Sequence, residues 1–189
     1  MLYKALSVLV FSLSLLIVNK GIAAEKRHAE GHVHGVAEIN IIVEGKRIVV
    51  EFHTPTEGVV GFEHEAKSDA EKMKRDAALK LINEKFPEMV IFERKPGCRS
   101  EGGKVAIVQS DADDNKDKKH GHADQKKSGE HREVRATFNF ECQQNPVGSR
   151  VQFGVTRLFP NIHELKVQVL SDAKQSGATI KKDKGDVRL

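Results

Sequence analysis

The fold is decided by residues 32–53, which read HVHGVAEINIIVEGKRIVVEFH and alternate between apolar and polar side chains. Such alternation, with a period of two residues, is typical of a β-strand with one buried face. Two alternating runs flank Glu44–Gly45, so the sequence predicts a β-hairpin with these two residues as its loop. That loop would pair Ile41 with Ile48 and bring the two apolar faces together.

Three histidines gather on this hairpin. His32 and His34 are two residues apart, so their side chains leave the same side of the strand. In the predicted pairing, His53 lies opposite Val36 and diagonal to His34, about 7–8 Å away. Imidazole is the commonest protein ligand for borderline transition metals, and zinc sites use three or four such donors. The sequence therefore predicts a zinc site here, although exposed surface histidines are the simpler alternative.

Other histidines are weaker candidates for metal ligands. His28 precedes the hairpin and could add a ligand, as could Glu30. His64 follows Gly-Phe-Glu, and on its own it is more typical of a packed structural residue. A last group lies in a charged stretch and comprises His120, His122 and His131. A flexible group of this kind suits weak capture or hand-over of metal, and an ordinary charged surface loop is the alternative.

The start of the chain predicts export. Residues 1–24 combine a basic start at Lys4, an apolar stretch and the small residues of a cleavage site, as in a signal peptide. An uncleaved anchor is the alternative, but the apolar stretch is short for a membrane span, which needs about 20 residues. Residues 25–189 remain as a single domain, for which no stable membrane insertion is expected. The formal charge of +4 falls by two when Lys4 and Lys20 leave, and the few aromatic residues do not alternate with basic ones. Nucleic-acid binding is therefore not predicted.

Cys98 and Cys142 are the only cysteines. An even number of cysteines in an exported chain predicts one disulfide. A pair of thiolate metal ligands is the alternative.

The rest of the chain predicts one helix and several strands. A capping box at Ser68 and Glu71 predicts a helix that ends near Phe86, before Pro87. Its predicted buried stripe comprises Ala70, Met73, Ala77, Leu81 and Ile82. Residues 54–64 are predicted to form a glycine-rich loop. Strands are predicted at 90–93, 105–109, 133–142, 151–158, 165–170 and 177–181. Residues 110–132 carry charge without apolar periodicity and are predicted to form a mobile insert. This order predicts an α+β fold, in which an antiparallel sheet built from hairpins carries one main helix.

Several blocks of the sequence resemble the ZrgA family: HVHGVA at 32–37, GFEH at 61–64 and LFP at 158–160. The resemblance covers essentially the whole mature chain. It implies a periplasmic zinc-binding protein that works with an ABC-type zinc importer in Gram-negative bacteria. It places His32, His34 and His64 on the matching blocks. Many members carry a long His/Asp/Glu tract in the insert, whereas this insert has three histidines among lysines, which argues against a high-capacity reservoir.

The sequence thus predicts a non-enzymatic protein that captures Zn(II) and supports its uptake. Because neutral imidazole is the ligand, binding is expected to weaken as the pH falls through about 6.5. A periplasmic metallochaperone or buffer for zinc, copper or nickel is the second hypothesis, since histidines alone do not fix the identity of the metal. A zinc hydrolase is the third, with Glu38 and Glu51 as the only obvious bases on the hairpin face. No HExxH motif or other catalytic signature supports it.

Overall fold

A computed structural model describes residues 33–109, 131–172 and 174–189. The elements in chain order are β1 (Val36–Glu44), β2 (Arg47–Pro55), α1 (Thr56–Val60), α2 (Asp69–Met89), β3 (Val90–Phe92), β4 (Arg99–Gln109), β5 (Arg132–Glu141), β6 (Arg150–Phe153), α3 (Val155–Leu158), β7 (Glu164–Ser171), β8 (Gln175–Lys181) and β9 (Asp186–Arg188). The predicted leader and residues His28, His32, His120 and His122 lie outside the described residues.

Six strands form the main sheet, in the order β4-β5-β2-β1-β7-β8. Its neighbouring strands are antiparallel except β1 and β7, which run parallel with Ile39 opposite Val167. A second sheet has the order β3-β6-β9. The arrangement agrees with the α+β class, but the predicted purely antiparallel sheet is wrong, because the sheet is mixed. Alternating apolar residues specify which face of a strand is buried and say nothing about the direction of its neighbour.

β1 and β2 form the predicted hairpin in a different register. The loop is Gly45–Lys46, so Ile41 pairs with Val50 and not with Ile48. A shift of two residues leaves both apolar faces on the same side, so apolar patterning cannot distinguish the two registers. The turn chemistry decides between them. Gly45 has φ of +61° at the first loop position, where a type II′ turn requires a positive φ and favours glycine.

Helix α2 begins at the predicted capping box. The Ser68 side chain accepts a hydrogen bond from the Glu71 backbone N–H, and the Glu71 carboxylate accepts one from the Ser68 N–H. The predicted buried stripe is wrong at Ala70, Met73 and Ala77, which are exposed, whereas Ile82 is fully buried and Leu81 is partly buried against the core. The buried positions are Ala78, Ile82, Phe86 and Met89. The helix continues past Pro87 to Met89. Met89 is fully buried in the core, and this packing offsets the one backbone hydrogen bond that the proline removes.

The aromatic core lies between the second half of α2 and the main sheet. Phe86 stacks on Phe138 of β5 with ring centroids 3.8 Å apart, and Phe140 packs beside them. Among the described residues, no helix is long and apolar enough to cross a bilayer.

Cys98 and Cys142 are bonded to each other, which confirms the predicted disulfide. The bond lies at one end of the β4–β5 pair, and Gln109 pairs with Arg132 at the other end. The predicted insert connects the two strands at that second end. Its last residue, Arg132, belongs to β5, and residues 110–130 lie outside the described part of the chain.

The remaining strand predictions agree with the structure to different degrees. The run predicted at 151–158 divides into strand β6 and the short helix α3. The runs at 165–170 and 177–181 are β7 and β8. Residues 56–60, expected as part of a glycine-rich loop, form α1.

Candidate metal site

Glu63 joins two histidines that are far apart in the sequence. Its Oε1 lies 3.6 Å from Nε2 of His34, and its Oε2 lies 2.7 Å from Nδ1 of His131. The other nitrogen of His34, Nδ1, lies 3.5 Å from Oε2 of Glu57. We call His34, Glu57, Glu63 and His131 the His/Glu cluster.

Local backbone geometry brings these four residues to one edge of the main sheet. His34 lies in the turn that leads into β1, where Val36 N–H donates to the Val33 carbonyl at 3.2 Å. Glu57 belongs to α1, which ends at Gly61 with φ of +83° in the left-handed region. This glycine redirects the chain so that Glu63 also faces His34. His131 immediately precedes β5.

One separation within the cluster is close to that between two ligands of one metal ion. In tetrahedral zinc coordination, with bonds of about 2.0–2.1 Å, the donor atoms lie about 3.3–3.4 Å apart. The 3.6 Å between Nε2 of His34 and Oε1 of Glu63 is close to that range. A carboxylate at the second nitrogen of a metal-bound histidine typically fixes its tautomer and ring orientation. Glu57 occupies that position when Nε2 of His34 is the metal-binding nitrogen.

The cluster is not a preformed cage. Within residues 33–109, 131–172 and 174–189, no group of three or more His, Cys, Asp or Glu side chains has the arrangement of a metal site. The two oxygens of Glu63 face different histidines, so their donor atoms do not yet point at a common centre. The His34 and His131 side chains are 66% and 53% exposed, which leaves both rings room to turn, whereas Glu63 is only 19% exposed.

His64 points toward the start of α2. Its Nε2 lies 3.7 Å from Oε1 of Glu71, its Nδ1 lies 3.0 Å from the Glu65 carbonyl, and its ring stacks on Phe62. Backbone hydrogen bonds from Ser68 and Lys67 hold the pKa of Glu71 below its ordinary value. The contacts of His64 therefore resemble those of a structural histidine, the alternative that its sequence position favoured.

The structure does not bring His53 beside His34. In the observed register, His53 lies opposite Glu38 on one side and Arg135 on the other. The predicted diagonal contact with His34 is therefore wrong, because it depended on the wrong loop. Of the two bases considered for a hydrolase, Glu38 faces His53 and Glu51 accepts a hydrogen bond from Asn40 at 3.3 Å.

The sequence identifies His34 as a primary candidate and His131 as a weaker one, but it does not single out Glu57 or Glu63. Glu63 stands inside the GFEH block, where its carboxylate is a usable signal beside His64. His131 was assigned to the insert with His120 and His122, whereas it lies at the start of an ordered strand. Glu57 gave no sequence signal, because α1 was expected to be a loop.

A family model described as "ZrgA family zinc uptake protein" matches residues 31–189. This span includes the whole His/Glu cluster and both cysteines. No curated protein matches the chain.

Proposed function

Because the chain belongs to the ZrgA family of zinc uptake proteins, we propose that it binds Zn(II) as cargo at the His/Glu cluster and thereby supports zinc uptake. One observation carries this proposal. The carboxylate of Glu63 lies between His34 and His131, which supplies two imidazoles and one carboxylate, a donor set well suited to zinc.

Each residue of the cluster has a distinct role in the proposed site. His34 binds through Nε2, His131 through Nδ1, and Glu63 through a carboxylate oxygen. Glu57 orients His34 from its opposite nitrogen. His32, two residues before His34 in the sequence, is proposed as the fourth ligand, with His28 as a further candidate. His64, His120 and His122 are proposed as weaker, secondary contacts.

The exposure of the two cluster histidines supports release of the metal as well as capture. Ligands at the surface can be replaced one at a time by those of an acceptor protein. We propose that the acceptor is a component of an ABC-type zinc importer and that the transfer occurs in the periplasm. The disulfide supports an oxidising compartment, and the N-terminal sequence supports export.

The donor set also bears on the identity of the metal. Both cysteines are in the disulfide, so they do not provide thiolate ligands, and the alternative of a cysteine metal site is wrong. Soft thiolate and thioether donors favour Cu(I), whereas imidazole and carboxylate donors suit Zn(II). The cluster therefore lacks the soft donors that favour Cu(I), and the assignment of zinc rests on the family.

Titration calorimetry on the metal-free mature protein tests the site. Glu63→Gln keeps the size of the side chain but removes its charge, and we expect it to weaken zinc binding at least about tenfold. Glu51→Gln is the matched control, since Glu51 is a partly buried carboxylate of the main sheet outside the cluster. Wild-type affinity in Glu63→Gln, or equal losses in both variants, would show that the cluster is not the site.

A further inference from the structure

The imidazole of His163 lies directly against Gly35, the residue that follows His34. Gly35 has φ of +74°, and a Cβ at this position would overlap Nδ1 and Cε1 of the His163 ring. It would also lie 3.2 Å from the Asn161 carbonyl oxygen. The ring thus fills the space that any other residue at position 35 would need for its own side chain.

Backbone hydrogen bonds fix Gly35 and the backbone of His163, although His163 is an exposed residue. The Gly35 carbonyl accepts hydrogen bonds from the backbone N–H groups of His163 and Glu164, at 2.9 and 3.2 Å. The His163 carbonyl accepts a third bond from Lys182 N–H at 3.0 Å, just after β8. His163 is therefore held between the turn that carries His34 and the end of the last strand of the main sheet.

The segment that carries His163 also reaches the helix of Glu57. The Asn161 side-chain amide donates to the Glu57 carbonyl at 3.4 Å. Ile162, which lies between Asn161 and His163 in the sequence, is fully buried. One three-residue segment thus contacts both backbones that carry the His34–Glu57 pair. This arrangement ties the relative position of the two side chains to the segment 161–163.

We propose that His163 is a positioning residue for the zinc site: its ring restrains Gly35 and so restrains the backbone from which the His34 side chain projects. Glycine has more backbone freedom than any other residue, so the turn needs an external restraint. A metal ligand held loosely must lose that freedom on binding, which lowers affinity. The inference rests on the proposed zinc site but assigns His163 no bond to the metal.

Two substitutions at position 163 distinguish the effect of the ring's bulk from the effect of its nitrogen atoms. His163→Ala removes the ring, and we expect zinc binding to weaken about tenfold or more, as for other groups that orient metal ligands. His163→Phe keeps an aromatic ring over Gly35 without a ligand nitrogen, and it should stay within about threefold of the wild type. His53→Ala is the control for loss of a histidine outside the cluster. If the Phe variant lost as much affinity as the Ala variant, His163 would act through its nitrogens, and wild-type affinity in both would exclude positioning.

A measurement without metal distinguishes failure of this inference from failure of the zinc site. In the metal-free protein, the side-chain ¹⁵N signals of His34 report the surroundings of its ring by NMR. They should be unchanged in His163→Phe and should shift in His163→Ala, because the His34 ring then changes its position relative to Glu57 and Glu63. Unchanged His34 signals in His163→Ala would overturn the inference even if the cluster binds zinc, whereas the expected change would support it even if the cluster does not. Thermal unfolding monitored by circular dichroism checks that each variant is folded.

Discussion

Gly35 combines two constraints that can be measured separately. Its φ of +74° is unfavourable for other residues, and the His163 ring leaves no room for a Cβ. Gly45 has a similar φ of +61°, but no atom lies within 4 Å of the position of its Cβ. The two positions therefore form a matched pair. An alanine at position 35 would have backbone strain and would overlap the His163 ring, whereas an alanine at position 45 would have backbone strain alone.

We expect Gly45→Ala to lower the free energy of unfolding by about 1–3 kcal/mol, the strain of an alanine held at positive φ. Gly35→Ala should lower it further, because His163 must also move. Urea unfolding of both variants measures the difference. Combining Gly35→Ala with His163→Ala should recover part of the additional loss. Equal losses in Gly35→Ala and Gly45→Ala would mean that the His163 ring moves aside at no cost and does not restrain Gly35.

At the scale of single residues, the sequence shows which side chains can bind a metal but not which of them lie close together in the fold. His34 stood out because of its spacing from His32. Glu63 and His131 are 68 residues apart in the chain, and their contact depends on how the loop after α1 folds over the start of β5. No local periodicity encodes such a contact.

At the scale of elements, α2 shows how two apolar stripes compete for one core. Ala70, Met73 and Ala77 have helical spacing, and so do Ala78, Ile82 and Phe86. The second stripe contains the larger side chains, and it is the one that meets Phe138. Spacing predicted the helix and its capping box correctly, but the choice between the stripes required the position of the sheet.

The two stripes should respond differently to truncation. Ile82→Ala removes a fully buried side chain and should lower the free energy of unfolding by about 2–5 kcal/mol. Met73→Ala changes an exposed position and should stay within about 0.5 kcal/mol of the wild type. Denaturant unfolding of the two variants in parallel measures both values. A loss above 2 kcal/mol for Met73→Ala would indicate that something covers the first half of α2.

The capping box of α2 predicts a pH dependence of stability. Backbone hydrogen bonds from Ser68 and Lys67 lower the pKa of Glu71 in the folded protein, so its ionised form favours folding. This contribution is complete above the ordinary carboxyl value and is lost as the pH falls through the lowered value. The difference in unfolding free energy between wild type and Glu71→Gln should therefore shrink on acidification. Urea titrations at neutral and acidic pH measure it, and a difference that stayed constant would contradict the assigned cause.

At the scale of the whole molecule, the strand pair β4–β5 joins the core to the proposed site. The disulfide closes one end of the pair, and His131 precedes β5 at the other end. The sequence predicted the disulfide from cysteine number and compartment, and the apolar runs predicted most of the strands. It could not predict the parallel pairing of β1 with β7, because that depends on a chain path of more than a hundred residues.

Because the insert joins two paired strand ends, it can be replaced by a short turn without breaking the pairing of β4 with β5. Gln109 and Arg132 are paired, so the two strand ends already lie side by side, and a short glycine-containing turn can join them in place of residues 110–130. We expect the melting temperature of this deletion variant to stay nearly unchanged, and a large drop would show that the insert packs on the core.

The same variant separates the two sets of histidines, because it lacks His120 and His122 but keeps His131. Ligands in an insert without apolar periodicity would lose more chain entropy on binding than ligands next to ordered strands, so they add less net affinity. Titration calorimetry should therefore show tight zinc binding in the deletion variant and in His120→Ala/His122→Ala, but weak binding in His34→Ala. If the deletion abolished tight binding while His34→Ala retained it, the primary site would lie in the insert, and the cluster around Glu63 would have to act in some other way.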